Sequence, residues 1–331
     1  MKSKNRILDA VMGLCVADAL GVPVEFMTRE DIMINPVTEM RGYGTYNMPP
    51  GTWSDDTSMT LCLLDSLSEG LDYHDIMSKF QKWMTRAEYT PHGEVFDVGV
   101  STRQAICRFI EGTEPLRCSG EGEHDNGNGS LMRILPLLFY IQSAFGMDFY
   151  EKDTAFDIIH DVSSLTHAHK RSKIACGLYL CVANQIVAGM ERNQAVSAGI
   201  RRAAEHYICR QGYEEELFSY RRILESGFEK TPENKIRSSG YVVHTLEAAL
   251  WCFLNTDSYR DCVLKSVNLG EDTDTVAAVA GGLAGLYYGY DNIPEEWVRQ
   301  IAKREYIEEL CKKSLIKRAL SVLLDTFYVN I

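Results

Sequence analysis

Two short acidic runs lie far apart in the chain, and each combines carboxylates with hydroxyl groups. Ser54-Asp55-Asp56-Thr57 precedes the largely apolar stretch 59–64, and Asp272-Thr273-Asp274-Thr275 precedes the apolar stretch 276–280. Such side chains supply the oxygen ligands that hard divalent cations prefer, and two neighbouring ions need more carboxylates than one loop carries. If the fold brings the runs together, they could form the two halves of one metal site.

The same residue types also cap helix N-termini, so each run by itself could be only a cap. One capping oxygen is sufficient for a helix start, however. Paired carboxylates repel each other unless a cation or a basic side chain neutralises them, and neither run contains Lys or Arg. The spacing alone leaves capping and metal binding both open.

A glycine-rich segment could bind an anion. Asn126-Gly127-Asn128-Gly129-Ser130, followed by Leu131-Met132-Arg133, has the composition of a backbone nest that opens into a helix. Converging N–H groups, a helix N-terminus and Arg133 would together attract a phosphate. A plain Gly/Asn turn has the same composition, so the segment predicts either a phosphate cradle or a simple turn.

Two acidic residues near the N-terminus are further candidates. Asp18 interrupts the apolar face of the first predicted helix, and Glu25 follows it. An acid on an apolar face is uncommon unless it is paired or binds a metal. Glu25 is therefore a candidate ligand or proton-transfer group, with a salt-bridged or exposed carboxylate as an equal alternative.

The remaining candidates are single side chains. His167 and His169 cannot share a helix face, so at most one points at a site, and a capping or hydrogen-bonded histidine remains open for each. Asp97 and Tyr241 carry weaker signals. Tyr241 could stack on a ring or simply pack in the core.

Composition limits the class of protein. The 331 residues are 45% hydrophobic with a net charge of −12, which disfavours nucleic acid or an anionic membrane as the main partner. Ten cysteines without a CxxC pair are typical of a reduced, intracellular protein. No uninterrupted apolar run reaches the length of about 20 residues that a membrane helix needs, and no convincing leader is present, so we expect a cytoplasmic protein.

Apolar residues repeat at intervals of three and four through most of the chain, for example at Ile174, Leu178 and Cys181. This periodicity predicts helices, few strands compete with it, and one all-α domain is the simplest account. The last strong helical pattern carries Gly281, Gly285 and Gly289 at four-residue spacing. Because glycine destabilises a helix interior, this spacing predicts close backbone approach by a neighbouring helix.

Six ordered motifs resemble the ADP-ribosylglycohydrolase family, which includes the dinitrogenase reductase-activating glycohydrolases. They are Asp18 to Glu25, Gly51 to Thr57, Phe96 to Gly99, Gly127 to Arg133, Leu165 to His167 and Asp272 to Ala278. The resemblance implies a compact, orthogonal multi-helix single domain over residues 1–331. It also implies two Mg²⁺ or Mn²⁺ ions and hydrolysis of the N- or O-glycosidic bond that joins ADP-ribose to a protein side chain or small molecule.

The resemblance also implies roles for individual residues. Metal ligands would be Ser54, Asp55, Asp56, Asp272, Asp274 and Thr275. Substrate contacts would come from Gly127, Asn128, Gly129, Ser130, Met132, His167 and Tyr241. Catalytic residues would be Asp97, Glu25 and Asp55, with proton transfer assigned to Asp97 or Glu25.

The chain departs from the family pattern at a few positions. Ser54 stands where Thr is usual and keeps a hydroxyl, whereas Ala17 and Glu271 stand where Gly often precedes the aspartates. Glu271 adds a charge near the expected metals. Two alternative functions stay open: an ADP-ribose or nucleotide reader without activity, and a metal-dependent phosphoesterase. An ADP-ribosylated nucleic-acid end would be the only expected nucleic-acid substrate, and the linkage cleaved is not predicted.

Overall fold

Helices account for almost all regular structure in this protein. The computed structural model describes residues 5–314, is 65% helical, and contains no β-strand within that range. The predicted all-α single domain is confirmed, while residues 1–4 and 315–331 of the predicted domain lie outside the described residues.

The α-helices are α1 (Arg6–Gly21), α2 (Arg29–Ile34), α3 (Asp55–Leu67), α4 (Tyr73–Arg86), α5 (Val100–Ile110), α6 (Leu137–Phe145), α7 (Asp153–Ser164), α8 (Lys170–Val187), α9 (Arg192–Ile208), α10 (Glu214–Leu217), α11 (Arg221–Leu224), α12 (Val242–Leu254), α13 (Tyr259–Val267), α14 (Thr273–Tyr288) and α15 (Glu295–Gln300). Residues 304–314 are also helical. Short 3₁₀ turns occupy Val22–Val24, Pro115–Arg117, Phe149–Glu151, Phe218–Tyr220, Phe228–Lys230, Glu233–Lys235 and Tyr290–Asn292.

Two helices, α1 and α14, form the centre of the domain. Both are apolar on all sides, and almost every residue of each is buried, as expected for helices surrounded by others. Helices α3, α8, α12 and α13 pack around α14. The centre of the core therefore consists of the two helices whose ends carry the candidate acidic residues.

Glycines let α1 and α14 approach at backbone distance. A Cβ atom on Gly281 would lie 2.5 Å from the Gly13 carbonyl oxygen, and one on Gly285 would lie 2.2 Å from the Asp9 carbonyl oxygen. Such distances leave no room for any side chain at these positions. The close approach predicted from the glycine spacing is thus present at Gly281 and Gly285, and it fixes how far the two helices can slide.

Two expectations about helix limits were wrong. Gly289 is not inside α14 but follows its end with a φ of 88°, a left-handed backbone that glycine adopts readily. No helix begins after the glycine-rich segment either. Residues 131–136 form turns, and α6 starts only at Leu137, because Pro136 occupies the N-cap position.

One segment bears on the expectation about membrane helices. Arg6–Val24 is long and apolar enough to cross a membrane, with a mean hydropathy of 1.8, although Asp18 interrupts it. The structure buries 94% of this window inside the protein. Its contacts are those of a core helix, since it packs along α14.

Candidate active site

Three helix ends meet around Asp18. The end of α1 lies against the start of α14, where a Cβ on Gly21 would be 2.3 Å from the Asp274 Cα. The start of α3 is held by Asp18, whose carboxylate accepts hydrogen bonds from the Ser54 N–H (3.0 Å), the Thr57 N–H (3.1 Å) and the Thr57 hydroxyl (2.6 Å). Asp18 is fully buried and satisfied by these donors.

The two acidic runs converge as predicted. Ser54 is the N-cap of α3 and Asp272 the N-cap of α14, so both runs occupy first-turn positions. The Thr275 hydroxyl donates to Asp56 Oδ2 at 3.2 Å, and the Ser54 hydroxyl reaches the same oxygen at 3.2 Å. Residues more than two hundred positions apart in sequence therefore share one hydrogen-bonded cluster.

A second group of carboxylates lies beside this cluster. Ligand oxygens of Glu25, Asp97 and Asp274 all lie within 4.8 Å of one another. Glu25 follows the 3₁₀ turn after α1, and Asp97 lies in the loop before α5, where its φ of 50° places it in the left-handed region. The structure thus brings both candidate proton-transfer residues next to the start of α14.

Several of these oxygens are buried without a hydrogen-bond donor. Among the described residues, the unpartnered buried atoms include Glu25 Oε2, Asp56 Oδ1, Asp272 Oδ1 and Asp274 Oδ2. A buried carboxylate oxygen without a partner is costly unless a cation supplies the missing charge. This set of hard oxygen donors fits Mg²⁺ or Mn²⁺, and the helix N-termini of α3 and α14 add favourable positive potential.

The raised pKa values of the carboxyl groups in this cluster also favour a cation site. Burial raises the pKa of Asp18 to about 6, and burial together with the nearby Asp97 and Asp272 raises the pKa of Glu25 to about 9. Burial and like charges also raise the pKa of Asp274. Within residues 5–314 no basic side chain forms a salt bridge with these carboxylates, so burial disfavours their charged forms.

The glycine-rich loop lies across the site from these carboxylates. The Gly240 carbonyl accepts from the Asn128 N–H at 3.1 Å, and the Asn128 amide donates to Asp272 Oδ2 at 2.9 Å. Gly129 must be glycine, because a Cβ there would lie 2.6 Å from His167 Cε1. The loop is therefore fixed between the start of α14 and the His167 ring.

His167 faces this site, whereas His169 does not. The His167 ring is buried beside Gly127 and Gly129, and burial with the nearby Arg133 lowers its pKa to about 3, so it is neutral. His169 is the N-cap of α8, where its side chain accepts from the Arg171 N–H at 3.2 Å. The expectation that at most one of the two points at a site agrees with this placement.

The structure places three residues that were expected to act on the ligand outside the cavity lining. Arg133 is fully buried, donates to the Gly129 and Val162 carbonyls, and lies over the Phe80 ring at 5.0 Å. Arg133 supports the glycine-rich loop from its core side, and its side chain does not line the cavity. The Ser130 hydroxyl is likewise buried and accepts from Ser163 at 2.9 Å.

Tyr241, the third of these residues, pairs with Gly127 through the backbone. Its ring makes an edge contact with His244 at 4.9 Å, and Gly240, not Tyr241, lines the cavity.

A cavity of about 370 Å³ joins these parts. Its lining includes the acidic residues Glu25, Asp55, Asp97 and Asp272, the hydroxyls of Thr102 and Thr275, and the loop residues Gly127, Asn128, Gly129, Met132 and His167. Ser54, Asp56 and Asp274 lie behind this surface within the carboxylate cluster. One side of the cavity is therefore lined by carboxylates that could bind metal ions, and another side is lined by the glycine-rich loop.

Sequence reasoning missed Tyr46. Tyr46 lies beside Glu25 and Asp97, and burial together with these two carboxyl groups raises its pKa above the usual value. Its ring lies 4.9 Å from that of Phe96. Tyr46 comes from the turn-rich loop before α3, where no periodicity or motif marks it. Only the folded chain brings this loop to the two carboxylates.

Comparison with known proteins gives the family. The description "ADP-ribosylglycohydrolase" belongs to the family profile that matches residues 1–322. The ADP-ribosylarginine hydrolase Tri1 of Serratia proteamaculans is 31% identical over 94% of this chain and 79% of its own length. The ADP-ribosyl-(dinitrogen reductase) glycohydrolase of Rhodospirillum rubrum is 32% identical, with 90% of each chain covered.

A solved structure described as an ADP-ribosylglycohydrolase-related protein complex superposes with a TM-score of 0.77 at 30% identity, covering 95% of this chain and 98% of that chain. The chain belongs to the ADP-ribosylglycohydrolase family. This membership confirms the predicted family, fold type and enzyme class.

Proposed function

We propose that this protein is a metal-dependent hydrolase that releases ADP-ribose from a modified side chain, with arginine as the preferred attachment point. The observation that carries the proposal is the buried carboxylate cluster whose unpartnered oxygens line or adjoin the cavity beside the glycine-rich loop. The arginine linkage is supported by the Serratia relative, whose name states that activity.

Two Mg²⁺ or Mn²⁺ ions fit the donor set, with Ser54, Asp55, Asp56, Asp272, Asp274 and Thr275 as their ligands. When bound, such ions supply Lewis acidity and lower the pKa of a coordinated water. The negative charge of the diphosphate would otherwise be repelled by the acidic wall, so the ions also make anion binding possible.

The side chains of this protein divide the remaining work. The backbone of residues 127–129 and the neutral His167 ring hold the ADP-ribose, while Met132 packs against it. Cleavage at the anomeric carbon requires a water on one face of the ribose and a proton for the leaving group. We assign proton transfer to the carboxyl groups of Asp97 and Glu25, which lie together at the cavity wall.

An ADP-ribose release assay tests this proposal. Wild-type protein with Mg²⁺ or Mn²⁺ should convert ADP-ribosylarginine to free ADP-ribose, detected by chromatography, and chelator should stop the reaction reversibly. Asp274→Asn should lower the rate by roughly 100-fold or more, the scale of losing one group that stabilises charge in a transition state.

The exposed Asp291→Asn variant is the matched control and should retain activity. Binding of ADP-ribose with no turnover of any linked substrate would instead favour the reader, and AMP or inorganic phosphate as product would favour the phosphoesterase.

We place the protein in the cytoplasm, with ADP-ribosylated proteins or small molecules as its partners. Support comes from the cysteines: all ten are free, and all ten lie within the described residues. Free thiols on the surface, such as Cys107 and Cys209, are typical of a reducing compartment.

A further inference from the structure

Phe26 follows Glu25 directly, and its ring lies at the rim of the cavity. The residue is 67% exposed, although it lines the same cavity as Glu25 and Asp97. Large apolar side chains at a cavity rim are available to a ligand that enters it. The ring is therefore available to a ligand that lies beside Glu25 and Asp97.

The backbone holds Phe26 in this position against its own preference. Its φ is 65°, in the left-handed region that bulky residues rarely adopt. The Phe26 N–H donates to the Glu271 carbonyl at 2.7 Å, and the Glu271 N–H donates to the Met27 carbonyl at 2.8 Å. Two reciprocal hydrogen bonds thus fix an exposed phenylalanine in a strained conformation, a combination that is concentrated at ligand sites.

Packing does not account for this ring. Its aromatic neighbour is Tyr46, which it meets only at an edge, with centroids 6.4 Å apart. Tyr46 in turn lies beside the carboxyl groups of Glu25 and Asp97. The exposed ring lines the same cavity as the carboxyl groups of Glu25 and Asp97, and such a surface suits a flat cation.

We propose that the ring face of Phe26 binds the guanidinium group of the modified arginine and thereby selects arginine-linked over oxygen-linked ADP-ribose. This inference rests on the proposed function and deepens it. A guanidinium is planar and cationic, stacks on aromatic faces, and pairs with carboxylates at its edge. A serine side chain or an acetyl group linked through oxygen carries no positive charge and has no planar guanidinium group that could stack on the ring.

Matched substrates and variants test the inference. Wild type, Phe26→Leu and Phe26→Tyr would be assayed for ADP-ribose release from ADP-ribosylarginine and from an ADP-ribosylserine peptide. Phe26→Leu should lower kcat/KM for the arginine substrate about 5- to 30-fold, the equivalent of a cation–π contact of about 1 to 2 kcal/mol, mainly through KM. The serine substrate should be unaffected, and Phe26→Tyr should behave like wild type.

Two controls separate recognition from folding. Phe218→Leu removes a phenylalanine that is also exposed, at 65%, but lies outside the cavity, so it should leave both substrates unchanged. Phe26→Gly relieves the left-handed backbone while deleting the ring. It should keep or raise Tm and still lose the arginine preference.

The outcomes distinguish this inference from the function on which it rests. An equal loss of both activities in Phe26→Leu, or no loss of either, would overturn the role of Phe26 while leaving the hydrolase intact. Turnover of the serine substrate alone by wild type would also overturn it. If wild type releases ADP-ribose from neither substrate, the proposed function is wrong and this inference falls with it.

Discussion

At the scale of single residues, Asp18 shows how one buried carboxylate can organise a site without touching a ligand. It belongs to α1, yet the described hydrogen bonds of its carboxylate all come from the start of α3. The carboxylate therefore sets the position of Ser54 and of the aspartates that follow it. Both of its oxygens act only as acceptors.

Replacing this carboxylate should disturb the metal site from a distance. Asp18→Asn places an N–H₂ group opposite backbone or hydroxyl donors, so at least one hydrogen bond is lost, at a cost of about 1–3 kcal/mol. We expect lower stability and weaker Mg²⁺ or Mn²⁺ binding, measured by urea unfolding and by calorimetry.

Asp9→Asn is the matched control, since Asp9 is also fully buried on α1 but at the opposite end, where it accepts from the Tyr290 N–H at 2.9 Å. It should lower stability and leave cation affinity unchanged. Equal cation affinity in wild type and Asp18→Asn would contradict the positioning role.

Residue types could be predicted better than residue directions. The aspartates of both acidic runs could be recognised because Ser or Thr residues flank them, and the two runs do meet in the structure. Arg133 and Ser130 belong to the same motif as Gly129, but their side chains point into the core. Composition is a local property, whereas the direction of a side chain in a turn depends on the elements packed behind it.

At the scale of elements, the contact between α1 and α14 sets the spacing of the acidic residues. Gly13, Gly281 and Gly285 bring the two backbones together near the middle of the helices, and Gly21 does so at the site itself. Any separation of the helices would move Glu25 and Asp274 apart. Site geometry is therefore coupled to this interface.

A single methyl group tests that coupling. Gly285→Ala gains about 1 kcal/mol of helix propensity, but its Cβ would lie 2.2 Å from the Asp9 carbonyl oxygen, so α1 must move. Overpacking of this kind costs about 1–3 kcal/mol. We expect a net loss of stability and of cation affinity, measured by thermal unfolding with and without Mg²⁺.

Gly282→Ala is the matched control on the same helix, because the closest neighbours of its Cβ would be the ends of the Leu135 and Tyr179 side chains and not backbone atoms. It should be tolerated better than Gly285→Ala. A Gly285→Ala protein with wild-type Tm would show that the interface has more room than the structure gives it.

At the scale of the whole molecule, the site concentrates negative charge in the centre of an already acidic protein. The chain carries a net charge of −12, and no salt bridge within the described part of the chain reaches the carboxylates of the site. We expect a bound cation to favour their charged forms, so stability should depend on both pH and metal.

The sign of this linkage follows from the raised pKa values. Asp18 and Glu25 have folded-state pKa values of about 6 and about 9, against about 4 in an unfolded chain. The folded state binds more protons, so without cations the free energy of unfolding should fall as pH rises from about 4 to about 9.

Thermal unfolding in chelator at about pH 5, 7 and 8.5 measures this fall. Added Mg²⁺ should restore Tm most at the highest pH, and Asp274→Asn should gain less from it. A cation-free Tm that increases over this range would contradict the linkage.

The sequence by itself determined the helical class, the chemistry of the site and the family, because these depend on periodicity and on residue types that lie close together along the chain. Only the tertiary structure decided which side chains meet: Tyr46 with Glu25 and Asp97, Asp18 with the start of α3, and Phe26 with the rim of the cavity. These contacts join loops and helix ends that lie far apart in sequence, so no local pattern predicts them, and the close packing of α1 against α14 brings several of them together.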